Sequence, residues 1–282
     1  MTTVSNLKHN KLVRKVVQIS LSTFFLCTLM ITTLSAAETD GRWHEIKTSL
    51  FGDRAIQNGE DVIGLETPYR ALDAAVVPIS IESKIAQSQD NYIKSLYLVI
   101  DNNPSPIAAI FHFPGKHNWQ SLSTRVRVNA YTDLRVIAEI SDGNIYMVNN
   151  YVKASGGCSA PSLKDPAAAA AHLGKIKLKL PKASGLGDLL STQLLIKHPN
   201  SSGLQFDQIS RQYIPANFIR SIQVTFNDEV VFTADSDISI SEDPSIHFGF
   251  RPEEEGVLKV EVKDSTGRTF NHSVDLPNQE KG

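Results

Sequence analysis

Short apolar runs bounded by turn signals recur along most of this chain, and that pattern leaves little room for anything but β-structure. Ile93 to Ile100 is an apolar, β-rich run that ends at Asp101-Asn102-Asn103-Pro104. Ile107 to Phe113 is a further strand candidate. Leu134 to Ile140 and Ile145 to Val152 flank Ser141-Asp142-Gly143-Asn144, a hairpin turn. Thr124 to Ala130 alternates, with Arg125, Arg127 and Asn129 on one face and Val126, Val128 and Ala130 on the other. Val76 to Ile81, interrupted by Pro78, fits an edge strand. A second segment repeats the pattern. Phe218 to Phe226 and Glu229 to Ala234 flank the two-residue turn Asn227-Asp228, and Ile246 to Phe250, Val257 to Lys263 and Arg268 to Val274 follow. Many short strands with regular turns and almost no helix predict an all-β fold of two immunoglobulin-like β-sandwich domains joined by a linker.

The first 37 residues read as a signal peptide. Lys8, Lys11, Arg14 and Lys15 precede an apolar stretch, and Ser35-Ala36-Ala37 supplies small residues for cleavage before Glu38. This predicts export to the periplasm, with no membrane association after cleavage. Cleavage removes four of the 28 Lys and Arg and none of the 30 Asp and Glu, so the net charge moves from −2 to −6. A mildly acidic chain without a basic run argues against nucleic acid as a partner. A short helix is expected after Asp40, with Trp43, Ile46 and Leu50 on one face. The first sandwich then covers residues 38–158 and the second 192–282. The Lys/Pro/Ala/Gly-rich linker, 159–191, holds a short helix capped by Asp165-Pro166 and an alternating run from Lys175 to Leu180.

Cleavage also removes Cys27, leaving Cys158 as the one cysteine of the exported chain. It follows two glycines in Ser155-Gly156-Gly157-Cys158-Ser159-Ala160-Pro161. In an oxidising compartment an unpaired cysteine suggests an intermolecular bond or a free reactive thiol. Gly156 and Gly157 predict a flexible, reachable arm, hence a covalent attachment point. Lys153 is the nearest cation in sequence and the expected stabiliser of the thiolate. A small buried hydrophobe is the plainer reading of a free cysteine. A cysteine hydrolase would need a rigid, oriented base, which a Gly-Gly arm does not provide. The eight histidines form no zinc motif, although His112 and His117 flank Pro114-Gly115, and no glycine-rich phosphate loop is present. No catalytic residue, metal site or cofactor is expected.

The run from Tyr92 to Pro106, then Phe111-His112-Phe113, Ser123 to Arg127, Ala138 to Gly143 and Gly156-Gly157-Cys158 resembles SoxY, the sulfur-carrier subunit of the thiosulfate-oxidising system. Ile196-Lys197-His198-Pro199, Ile214 to Ile219 and the strands around Asn227-Asp228 resemble its partner SoxZ. Together they resemble the fused SoxYZ-like carriers associated with quinoprotein dehydrogenases. The resemblance implies two packed sandwiches that stand in for the SoxY–SoxZ heterodimer, with Cys158 as the cargo-bearing cysteine. It also implies a periplasmic carrier rather than an enzyme. Its expected partners are periplasmic redox enzymes, a quinoprotein dehydrogenase or Sox-type enzymes with cytochrome c among them, and a disulfide-linked dimer is open to it. Unlike the SoxY tail, Cys158 is internal and is followed by Ser159-Ala160-Pro161, which shortens and stiffens the arm. The competing reading is a non-covalent docking module for a dehydrogenase or cytochrome, with Cys158 incidental.

Overall fold

The computed structural model describes residues 32–88, 90–115, 119–161, 166–181 and 186–276. The signal expected over residues 1–37 lies outside the described residues except for 32–37, which are helical. Helix α1 (Thr32–Phe51) starts well before Asp40 because Ala36, Ala37 and Glu38 favour helix and no breaker precedes Gly41. No described helix is long and apolar enough to cross a membrane.

From Asp53 onward the chain forms one compact unit. Its first eight strands are β1 (Ile56–Asn58), β2 (Ile63–Glu66), β3 (Val77–Ser83), β4 (Ile93–Ile100), β5 (Ile107–His112), β6 (Ser121–Val126), β7 (Thr132–Ile140) and β8 (Ile145–Val152). A short helix α2 (Pro166–Ala171) and β9 (Ile176–Lys179) follow, and the expected cap Asp165 lies outside the described residues. The remainder are β10 (Leu190–Ile196), β11 (Phe206–Asp207), β12 (Gln212–Tyr213), β13 (Ile219–Phe226), β14 (Glu229–Ser236), β15 (Ser245–Phe250), β16 (Gly256–Asp264) and β17 (Thr269–Leu276). The all-β expectation holds.

One sheet has nine strands in the order β1-β8-β7-β4-β5-β14-β13-β16-β17, and the other has six, β2-β3-β6-β15-β10-β9. Both sheets cross from the first segment into the second. In the larger, β5 pairs antiparallel with β14, with Phe111 opposite Ala234 and Ile110 opposite Asp235. In the smaller, β6 pairs with β15 through Leu122 and Phe248. The two sandwich segments therefore share a strand seam, and strand edges that would be exposed in isolation are paired. Strand β9, inside the expected linker, lines the edge of the smaller sheet against β10.

Burial follows position in the sheets. Strand β7, paired on both sides, is buried at seven of its nine residues, whereas terminal β17 alternates between exposed and half-buried positions. Pro78 corrects the edge-strand expectation in an instructive way. Strand β3 lies between β2 and β6, but β2 ends opposite Ser80, so Pro78 faces a neighbour only on the β6 side, at Arg125. The strand is interior, and the proline occupies the stretch with one free edge. Asn227 and Asp228 both have positive φ, 48° and 68°, as the tight hairpin turn between β13 and β14 requires.

One hydrophobic core runs through both segments. At the seam, Phe232 from β14 lies 6.2 Å from Phe111, 6.3 Å from Phe113 and 5.0 Å from Phe248, ring centroid to centroid. We expect Phe232→Ala to destabilise the whole unit by about 3–5 kcal/mol, in the range for truncating a buried phenylalanine. Because the core is shared, denaturation followed by far-UV circular dichroism and by Trp119 fluorescence should give coincident transitions in a Trp43→Phe background. Two separated transitions would show that the segments unfold independently.

Candidate functional site

The Gly-Gly-Cys segment leaves the end of β8 and turns back against the first segment. Lys153 N–H donates to Tyr69 O at 2.8 Å, Gly156 N–H to Asn129 O at 2.9 Å and Gly157 N–H to Val128 O at 3.0 Å. The two glycines have different roles. Gly156 has φ +80°, the left-handed region, with open space where a Cβ would point. At Gly157 a Cβ would fall 2.0 Å from Ala74 O and 2.7 Å from Val128 O, so only glycine fits between those carbonyls.

The expectation of an exposed thiol on a loose arm is corrected by this arrangement. Cys158 is free and completely buried, 0% exposed. Part of its enclosure comes from the second segment. Ser202 Oγ donates to Cys158 O, and Gln205 Nε2 donates to Ala160 O at 2.9 Å. Ser202 N–H in turn donates to Gln205 Oε1 at 3.2 Å, which fixes the covering loop. Burial pushes the Cys158 thiol up to about 11, and the positive charge of Arg127 offsets this only in part. The thiol is thus neutral at physiological pH.

Arg127 was the residue least visible in advance. The strand alternation placed it on one face with Arg125. Strand β6 ends at Val126, however, and the chain turns inward at the next residue. Arg127 is 2% exposed. Its Nη1 donates to Gly157 O and its Nη2 to Asn200 O, each at 3.3 Å, and Nε has no hydrogen-bond partner. Burial lowers its pKa, while the fields of Cys158, Glu242 and Asp73 act to raise it. The cation beside the thiol is therefore Arg127 rather than Lys153, whose ammonium sits 4.7 Å from the Tyr69 ring centroid.

Asn200 holds the second half of the site together. Its Nδ2 donates to Ile240 O at 3.2 Å and Ser241 O at 3.3 Å, and its Oδ1 accepts from Ile219 N–H at 3.1 Å. Its own N–H donates to His198 Nδ1 at 3.1 Å. His198 Nδ1 also lies 2.9 Å from Asn200 Oδ1, and Nε2 lies 3.5 Å from Asp264 Oδ2. Burial lowers the His198 pKa against the pull of Asp264 and Asn200. Burial acts to raise Asp264, but hydrogen bonds from Thr266 and Arg268 hold its carboxyl at about 2. The motif around His198 thus fixes the loop that covers Cys158.

The other described histidines do not gather into a site. His112 Nδ1 lies 3.0 Å from Ser95 Oγ on the face of the larger sheet, and His117 lies outside the described residues. Among the described residues no group of three His, Cys, Asp or Glu side chains is placed to hold a metal.

Residues 47–158 match the family model for the sulfur oxidation protein SoxY, and residues 176–275 match that for the sulphur oxidation protein SoxZ. The SoxY match ends on Cys158. The chain thus carries a SoxY-family domain and a SoxZ-family domain in tandem, a fused SoxYZ-like architecture. No curated protein matches it. Among solved structures, the sulfur carrier protein SoxY from Chlorobium limicola f thiosulfatophilum is similar over 42% of this chain and 96% of that one, with 22% identity and a TM-score of 0.36. Superoxide reductase (neelaredoxin) from Ignicoccus hospitalis is similar over 33% of this chain and 79% of that one, with 10% identity and a TM-score of 0.29.

Two predictions test the enclosure. Gly157→Ala drives a methyl into two backbone carbonyls, so the turn must shift, and Cys158 should react with iodoacetamide faster than in wild type. Gly156→Ala meets no atoms, so it should cost about 1–2 kcal/mol for the left-handed backbone and leave the alkylation rate nearly unchanged. The thiol also makes stability depend on pH. Because its folded pKa lies above its unfolded one, the native state holds a proton that the unfolded chain releases. Stability should therefore fall as pH rises from the ordinary thiol range toward about 11. Denaturant titrations across that window, with Cys158→Ala losing this component of the slope, check the sign.

Proposed function

We propose that this protein is a covalent carrier that holds a sulfur-linked cargo on Cys158 and presents it to partner redox enzymes in the periplasm. The observation that carries this reading is the end of the SoxY match on Cys158, the cysteine that follows two glycines fitted to distinct backbone demands. Carriage fits the site better than catalysis: among the described residues the charged group acting on the thiol is Arg127, which cannot accept a proton.

Loading requires the Cys158 turn to open, because the thiolate is the nucleophile and the enclosed thiol is protonated. The bonds to be broken run from Gly156, Gly157, Ser202 and Gln205. A partner that receives the turn in its own site would replace them. A quinoprotein dehydrogenase, Sox-type enzymes and a c-type cytochrome fit this role as partners, and residues 1–37 supply the export signal.

The complete burial of Cys158 favours a second reading, in which the protein docks non-covalently and the thiol is packing. The intact mass of protein isolated from its native periplasm, before and after reductant, separates the two. We expect an adduct that reductant removes and that is absent from Cys158→Ala. A bare mass, together with recovery of the same partner by wild type and Cys158→Ala, would establish docking without carriage.

A further inference from the structure

The face of the smaller sheet that points away from the core carries an open cleft of about 760 Å³ where the two segments join. Strands β3 and β6 of the first segment and β15 and β10 of the second form its floor. Register lays one row of side chains across them. Glu66 on β2 pairs with Ser80, Ser80 with Ser123, Ser123 with His247, and His247 with Gln193. Ile79, Leu122, Ile246 and Leu194, next to them along the strands, are buried, so the row faces outward. Pairing of β6 with β15 is confined to Ser123–His247 and Leu122–Phe248, and the strands then part until Val126 bridges to Ile240. The cleft deepens where they part, beside Arg125 and Ser245. Its volume falls in the range of small-molecule sites, about 300–1,000 Å³.

Much of the hydrogen-bonding capacity in this cleft is unused. Ser80 Oγ and Ser123 Oγ lie 2.9 Å apart, so one donates to the other and one O–H is left for an outside acceptor. Gln193 Nε2 donates to Ser245 Oγ at 2.9 Å, which leaves Gln193 Oε1 free to accept among the described residues. On the wall, Thr67 Oγ1 is buried with no hydrogen-bond partner. Arg125 supplies positive charge. Its Nη2 donates to Asp243 O at 2.8 Å, and among the described residues no carboxylate is in ion-pair contact with it. Burial lowers the His247 pKa, and the fields of Lys179 and Arg125 lower it further, which marks this end of the cleft as positive. Neutral His247 still has a ring N–H to donate. Glu66, the carboxylate lining the cleft, stands three strands from His247, about 14 Å at the usual strand spacing.

We infer that this cleft is a binding site for a small hydroxylated carboxylic acid. The ligand's carboxylate accepts from Arg125 and His247, and its hydroxyls meet the Ser80–Ser123 pair, Gln193 and Thr67. An inorganic anion could engage Arg125 but would not span the serine row to Thr67. A neutral sugar would leave the guanidinium without an anion, and a plain fatty acid would leave the hydroxyl row unmatched. Both segments contribute, so the site exists only where they are joined. It uses no atom of Cys158 and does not depend on the carrier reading.

Calorimetric titration of the purified protein at pH 7 with gluconate, tartrate and glycerate tests this. Glucose, hexanoate and sulfate serve as controls that lack the charge, the hydroxyls or the carbon frame. We expect at least one of the three hydroxy acids to form a one-to-one complex with a Kd below about 1 mM. It should bind at least about tenfold more tightly than each control. Arg125→Gln should weaken that binding at least about tenfold, as the loss of a hydrogen bond to a charged group does. His247→Ala breaks no hydrogen bond of the described residues, so it keeps the test open where Arg125→Gln does not fold, and it should weaken binding about threefold or more. No binding of any hydroxy acid overturns the inference, as does equal binding of sulfate, glucose or hexanoate. A hydroxy acid whose affinity neither substitution changes overturns it as well.

Discussion

Antiparallel pairing of β5 with β14, repeated in the second sheet by β6 and β15, sets the positions on which the rest of the structure depends. The first segment contributes the Gly156–Cys158 turn and Arg127, and the second contributes the loop from Asn200 to Gln205. These meet because the seam continues past the strands. Val126 bridges to Ile240, Arg127 N–H donates to Ser239 O at 2.7 Å, and Asn103 Nδ2 donates to both Arg127 O and Ser239 Oγ. A shift in strand register would move Arg127 off the thiol and uncover it at once. The aromatic cluster around Phe232 gives the seam its apolar stability, and the polar bonds past the strand ends give it its alignment.

The site is a balance of opposed burial costs. A thiol placed out of water resists ionisation, and a guanidinium placed out of water seeks an anion; here they are neighbours. Each cost is offset only in part, by the field of the other group and, at Arg127, by the fields of Asp73 and Glu242. The backbone bonds that hold the turn and the Asn200–His198–Asp264 arrangement behind it maintain this pairing.

Much of the fold was legible in the sequence because strand periodicity and turn chemistry are local. Asn227-Asp228 demanded a tight hairpin and formed one, and the runs on either side of Ser141 to Asn144 became β7 and β8 nearly residue for residue. Cys158 was also legible, from its flanking glycines. Its enclosure was not. Two glycines in a row read as freedom, yet Gly157 is there for close approach to Ala74 and Val128, residues remote in sequence. Arg127 was misplaced for a related reason. Its alternation with Arg125 assumes a strand that continues, and what ends the strand is a tertiary bond to Ser239. The Lys197-His198-Pro199-Asn200 run carried a family resemblance but no sign that it would brace a cover over a thiol in the other segment.

Joining both segments in one chain has a consequence for how the thiol is protected. When a cover is supplied by a separate subunit, its occupancy follows the concentration of that subunit, and dilution uncovers the site. Here the loop from Asn200 to Gln205 is tethered to the cysteine it covers, so the local concentration of cover is fixed by chain length rather than by expression. The turn can open and reclose many times without its cover diffusing away. Access to Cys158 is then governed by what competes for the turn, and not by how much protein is present.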